Sequence, residues 1–216
     1  MCYTPIVSLT TAIIEWLLAA LILVYYTKSR LGKYGAVLLI LLGCYQFSEF
    51  MLCVSGQAEL WGTIAFLSYT FLPAIGLHAV LAFHKKKVHP ILLYSLPVIF
   101  SIVALVKKPF IVHGSCETMF VTILTYFSRS SQWIFYAAYY FGFIITAILL
   151  LIHKREKGAR GKACLAMLIA FVIMFIPTLI LIGIFPALYI KFPSVLCHFA
   201  LLTSAAFFIA LHYDNK

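Results

Sequence analysis

Seven apolar stretches, each close to the length that crosses a bilayer, fill this chain of 216 residues, and its Lys and Arg residues collect in alternate gaps between them. A helix needs roughly 20 apolar residues to traverse the hydrocarbon core. The stretches run from about Pro5 to Tyr25, Ala36 to Cys53, Thr63 to Phe83, Ile91 to Val106, Ser131 to Ile152, Cys164 to Ile184 and Pro193 to Leu211. Backbone groups in lipid must pair within their own segment, so each stretch reads as a helix. Pro73, Pro97 and Pro177 fall inside stretches, where membrane helices accept them as kinks. Only 10% of residues are charged, against about a quarter in soluble domains, so a soluble fold of this size would lack a polar surface. The chain reads as an all-α polytopic membrane protein: a single seven-transmembrane-helix domain over residues 1–216, multi-pass in the cell membrane, with no room for an appended soluble domain.

Charge sets the expected orientation. The first gap carries Lys28, Arg30 and Lys33, the third Lys85, Lys86 and Lys87, and the fifth Lys154, Arg155, Lys157, Arg160 and Lys162. With Lys216, twelve basic residues fall on one side, against Lys107, Lys108, Arg129 and Lys191 on the other. Basic loops stay cytoplasmic, which places the N-terminus outside and the C-terminus inside. Interaction of these loops with anionic lipid explains the +10 net charge better than a nucleic-acid partner does. The first apolar run has no basic segment before it, so it reads as a retained helix rather than a cleaved signal.

One connection differs from the others. Between Lys107 and Ser130, the runs Phe110-Ile111-Val112 and Met119 to Leu124 flank Gly114-Ser115. The pattern suggests a short outer hairpin over the bundle, or else an ordinary interfacial loop. Cys2, Cys53, Cys116 and Cys197 fall at or near the same outer face, Cys44 lies within the second helix, and Cys164 opens the sixth. Four outer cysteines admit two disulfides in three connectivities. They also admit thiolate ligation of a metal, or a role as small apolar residues. Loss of Met1 would place the Cys2 thiol beside a free amine.

Ionisable residues at membrane depth default to functional candidates. Glu15 lies midway along the first helix, Glu49 in the outer part of the second, and His78 in the inner part of the third. Gln46 and Glu49 share one helix face, with Tyr45 and Ser48 on an adjoining one. The competing reading is interior glue, with each group bonded to a neighbouring helix. In the last stretch Cys197 and His198 are adjacent and point about 100° apart, so a metal site there needs other helices as well. Cys2, Glu49 and Cys53 have compatible depth, and copper or zinc suits such ligands. Trp133, Tyr136, Tyr140 and Phe143 form a stripe at helical spacing, either an interfacial aromatic belt or a wall for a lipophilic ligand. The last helix has no lysine for a retinal Schiff base. Signatures of zinc proteases, serine hydrolases and phosphate-binding loops are also absent.

The opening Met1-Cys2-Tyr3-Thr4, the stretch Gln46-Phe47-Ser48-Glu49 and the run from Ser194 to Ser204 through His212 resemble an uncharacterised family of small prokaryotic membrane proteins with about seven helices. That family often has tryptophan where this chain has Leu196. The segment from Trp61 through Phe83 is similar to the seven-helix sensor region of some histidine kinases, although no output domain is read here. The resemblance implies a sensor-like bundle in which Cys2, Glu49, Cys197 and His212 are the positions to test. The expectation is a binding module for a small or lipophilic ligand or a metal. Glu49, Gln46, His78, Tyr136 and Tyr140 would contact ligand; Cys2, Glu49, Cys197 and His198 would hold metal. A separate cytoplasmic partner would read the basic loops 28–33, 85–87 and 154–162. The alternatives are an intramembrane metal- or thiol-dependent enzyme acting on a lipid or small redox substrate, and a small proton-coupled transporter using Glu15, Glu49 and His78.

Overall fold

A computed structural model describes residues 4–26, 29–117, 121–129, 131–154, 157–185, 194–195 and 199–214. Among the described residues the α-helices with defined bounds are α1 (Thr4–Tyr25), α2 (Arg30–Ser55), α3 (Ala58–Phe83), α4 (Pro90–Val106), α5 (Gln132–His153), α6 (Gly158–Ile184) and α7 (Ala200–Asp214). The strands β1 (Ile111–Cys116) and β2 (Val121–Thr125) form an antiparallel pair between α4 and α5. Five helices, all but α4 and α7, are long and apolar enough to cross a membrane. At 1.5 Å per residue the 17-residue α4 measures about 26 Å and the 15 residues of α7 about 23 Å.

Apolarity locates the helices but misplaces several starts. α2 begins at Arg30, because the Ser29 side chain caps it by accepting from Gly32 N at 3.2 Å. It ends at Gly56, whose φ of 68° takes the left-handed conformation that closes a helix. α3 and α6 likewise start five or six residues before their apolar stretches, at Ala58 and Gly158 rather than Thr63 and Cys164. The basic first turns of α2 and α6 continue the helices beyond the apolar length. For α7, residues 193 and 196–198 of the expected stretch lie outside the described residues.

α3 is the axis of the bundle. Of its most apolar window 72% is buried, against 28 to 50% in the other four long helices. Pro73 lies inside it. The Tyr139 hydroxyl of α5 enters the turn this proline disturbs, donating to Thr70 O at 2.6 Å and lying against the Ala74 N–H. A kinked helix needs its freed backbone groups paired from a neighbour. Around this axis the outward faces are apolar, with Ile6, Val24, Leu92, Val106 and Phe135 all largely exposed.

The basic gaps gather at one end. Arg160 Nη2 donates to Phe83 O at 2.7 Å and its Nε lies 4.0 Å from Asp214 Oδ1, while Lys162 sits over the Tyr213 ring. The hairpin covers the opposite end. Its strands are nearly those expected, but Gly114 and Ser115 lie within β1 rather than at the turn. A Cβ at Gly114 would stand 2.8 Å from Ala58 Cβ, so the glycine lets the strand lie flat on the start of α3.

Two anchors hold the hairpin. Cys53 at the end of α2 is disulfide-bonded to Cys116, with Cα atoms 5.2 Å apart. Glu59 in the first turn of α3 accepts from Phe110 N at 3.0 Å and Ile111 N at 2.9 Å, with Lys108 Nζ at 3.4 Å. Phe110 is thereby driven to full burial against Phe66 and Phe127. The disulfide closes a 63-residue separation, worth about 2 to 4 kcal/mol. Replacing both cysteines by serine should lower the melting temperature in detergent. Reductant should lower the wild type similarly and leave the double variant unmoved.

Candidate functional site

The halves of α1, α2 and α7 nearest the hairpin share a polar seam. On α1 the buried stripe is Ser8, Thr11, Ala12, Glu15, Ala19 and Ile22, spaced three and four apart. Its outer half is polar and its inner half apolar. α2 brings Tyr45, Gln46 and Glu49 to burial, and α7 brings Thr203 and Ser204. The α1–α2 pair is antiparallel: Ser8 meets Glu49 at one level, and Trp16 Nε1 donates to Ile40 O at 3.3 Å further in. Trp16 lies on Gly43, which has no Cβ to hold it off.

Glu49 is 1% exposed. Its Oε1 accepts from the Tyr45 hydroxyl at 2.8 Å and its Oε2 from Ser8 Oγ at 3.3 Å. Tyr45 precedes Glu49 by four residues and so reaches the same carboxylate, instead of serving a separate adjoining face. Ser48 turns back on its own helix, donating to Cys44 O at 2.7 Å. Gln46 is buried one turn inward.

Glu15 lies about 10 Å deeper than Ser8, seven residues along α1. It is 0% exposed, and neither carboxyl oxygen has a hydrogen-bond partner among the described residues. Ser204 of α7 stands against it, but that hydroxyl donates to Ala200 O at 2.8 Å.

The remaining candidates do not join this seam. Tyr136 and Tyr140 turn into an aromatic cluster with Phe66, Tyr69, Phe100 and Phe127. Tyr136 OH lies 3.0 Å from Thr70 Oγ1. The cluster faces the bundle interior, whereas Trp133 is 44% exposed. His78 is in a third place: its Nδ1 lies 2.9 Å from Tyr94 OH and its ring 4.0 Å from that of Tyr34. Those two rings hold a half-buried imidazole away from Glu49. The five expected ligand contacts are therefore divided among three sites.

An apolar crevice lies beside the seam, walled by Leu42 of α2, Pro73 of α3, Tyr140 of α5, Phe171 of α6, and Thr203 and Phe207 of α7. Its cavity volume is only about 30 Å³. The crevice is narrow, and a ligand would have to widen it.

The disulfide removes Cys53 from any metal site. Cys2, Cys197 and His198 lie outside the described residues, so of the expected metal set only Glu49 is placed. No group of three potential ligands comes together among the described residues. Cys44 and Cys164 are outside the disulfide, and Cys164 Sγ donates to Leu151 O at 3.3 Å.

Three functional placements were not read from sequence. Glu59 precedes the apolar stretch that begins at Thr63, and its spacing gives no sign of the strand it holds. Tyr139 is three residues after Tyr136 and shares its side of α5, but nothing in the sequence shows that its hydroxyl reaches the Pro73 turn. Ser204 carried no sequence signal beyond its small size. No protein-family model matches this chain, and no curated protein matches it significantly.

Tyr45→Phe should cost about 1 kcal/mol of stability. A double-mutant cycle with Glu49→Gln, read by denaturation in detergent, should show coupling between the two. Additive effects would mean that Glu49 is held by other groups.

Proposed function

We propose that the chain crosses the membrane seven times, N-terminus outside and C-terminus in the cytoplasm, as a sensor-like binding module. The carrying observation is the Glu49–Tyr45–Ser8 cluster. It is a buried carboxylate with two hydroxyl donors, at the end of the bundle that the hairpin covers. A buried carboxylate in lipid marks a binding position by default. The ligand that suits it has a hydrogen-bond donor, preferably cationic, on an apolar body. The donor would replace the Tyr45 or Ser8 hydroxyl on Glu49, beside Gln46, and the body would enter the adjoining crevice. Widening the crevice moves α7 against α2 and α3, and α7 ends at Asp214 beside Arg160. A separate partner would read that movement at the inner face, through the loops 28–33, 85–87 and 154–162.

Orientation is testable with thiols. A cysteine placed at Lys86 should react with a membrane-impermeant maleimide only after the cells are opened, and one at Ser115 should react in intact cells. The reverse pattern would contradict the orientation. For binding, an arylalkylamine should raise the melting temperature of the purified protein, and its uncharged hydrocarbon analogue should not. Glu49→Gln should weaken the amine effect at least about tenfold, a loss of roughly 1.4 kcal/mol. Equal responses to both compounds would remove Glu49 from the site.

A further inference from the structure

Glu15 has no structural explanation. Membrane glue is hydrogen-bonded, yet Glu15 has no partner on either oxygen among the described residues. No charged group acts on it. On α2 the nearest level offers Gly43, beside Trp16, and the thiol of Cys44. Tyr45 and Glu49 lie further out. On α7 it meets Ser204, whose proton is given to Ala200, and on α1 itself only Thr11 and Ser8 share its stripe. An ionised carboxylate there would have neither donor nor counter-charge, at a cost of about 2.5 to 3.5 kcal/mol on insertion scales. The closed bundle therefore holds the neutral acid.

A neutral acid needs an acceptor for its O–H, and Ser204 Oγ, whose own proton goes to Ala200 O, is the one group that stands beside it among the described residues. Outward from Glu15, the α1 stripe continues with Thr11 and then Ser8, which bonds Glu49. Steps of four and three residues are about 6 and 4.5 Å along the axis, gaps that single waters bridge. We propose that Glu15 is a reversible proton-binding site that exchanges with the outer side along Thr11, Ser8 and Glu49. When α1 and α7 part, its O–H bond breaks, the proton passes to water, and the carboxylate is left facing Ser204 and the admitted water. Reprotonation along the same line restores the closed state. This site is separate from the ligand reading of Glu49 and stands if that reading fails.

The test is a lipophilic carbodiimide on the full chain in liposomes, with adducts located by mass spectrometry. The neutral acid protonates the reagent, its oxygen adds to the central carbon, and rearrangement leaves an acylurea containing every reagent atom. Glu15 should be labelled, with a rate that falls by about tenfold per pH unit above its midpoint. Thr11→Val should slow labelling several-fold, and Glu49→Gln, which breaks the outer end of the same line, should slow it as well without moving the adduct from Glu15. A second reading needs no reagent access: the wild type should show a carboxylic-acid infrared band that fades as pH rises and is missing in Glu15→Gln. Labelling confined to Glu49, a Glu15 rate independent of pH, or an infrared band unaffected by Glu15→Gln would overturn the proposal.

Discussion

The outer faces of these helices offer a polar group nothing to bond, and the rest of the structure follows from that constraint. Ile6, Val24, Leu92, Val106 and Phe135 point outward, so every carboxyl, hydroxyl and kinked backbone group must be satisfied within its own helix or by a neighbouring one. Most are. Ser and Thr hydroxyls return to carbonyls one turn back, as at Ser48, Thr63, Ser68, Ser101 and Thr178. Tyr139 repairs the Pro73 turn, Tyr45 and Ser8 hold Glu49, and Tyr94 holds His78. Against that background the unpartnered carboxyl of Glu15 stands out.

The two ends of the bundle solve the same problem differently. At the basic end, Arg160 ties α6 to the last carbonyl of α3 and to Asp214 of α7, so one side chain joins three helices. At the other end a strand pair would expose backbone edges. Glu59 pairs two of its N–H groups and the disulfide fixes the strand's far end to α2. Val121 N adds a bond to Ser194 Oγ at 3.1 Å, linking β2 to the segment before α7. The polar seam thus lies near a covered end whose cover is attached to α2, α3 and the approach to α7.

How much of this was legible in the sequence depended on the kind of signal. Apolar runs located all seven helices, because hydrocarbon length leaves a direct mark on composition. The starts of α2, α3 and α6 were not marked, since their polar first turns remain helical through capping and backbone bonding. β-Branched runs revealed the hairpin, but Gly114 looked like a turn when it is a point of close approach to Ala58. Glu49 was visible as an acid at membrane depth, and its Tyr45 partner followed from i, i+4 geometry that had been assigned to separate faces. Long-range placements such as Ser8 on Glu49, Ser204 beside Glu15 and Glu59 beneath β1 depend on helix register, which one sequence does not encode locally. The same limit divided His78, Tyr136 and Tyr140 from Glu49.

A seven-span account depends most on α4 and α7, because over the described residues they measure about 26 and 23 Å, below the ~30 Å hydrocarbon core. Amide deuterium exchange of the full chain in lipid nanodiscs addresses them directly. If all seven helices lie in the bilayer, amides in the middle of α4 and α7 will resist exchange as strongly as those of α3, while residues 84–89 exchange quickly. Exchange in α4 or α7 at the rate of the 84–89 connection would contradict a seven-span membrane bundle.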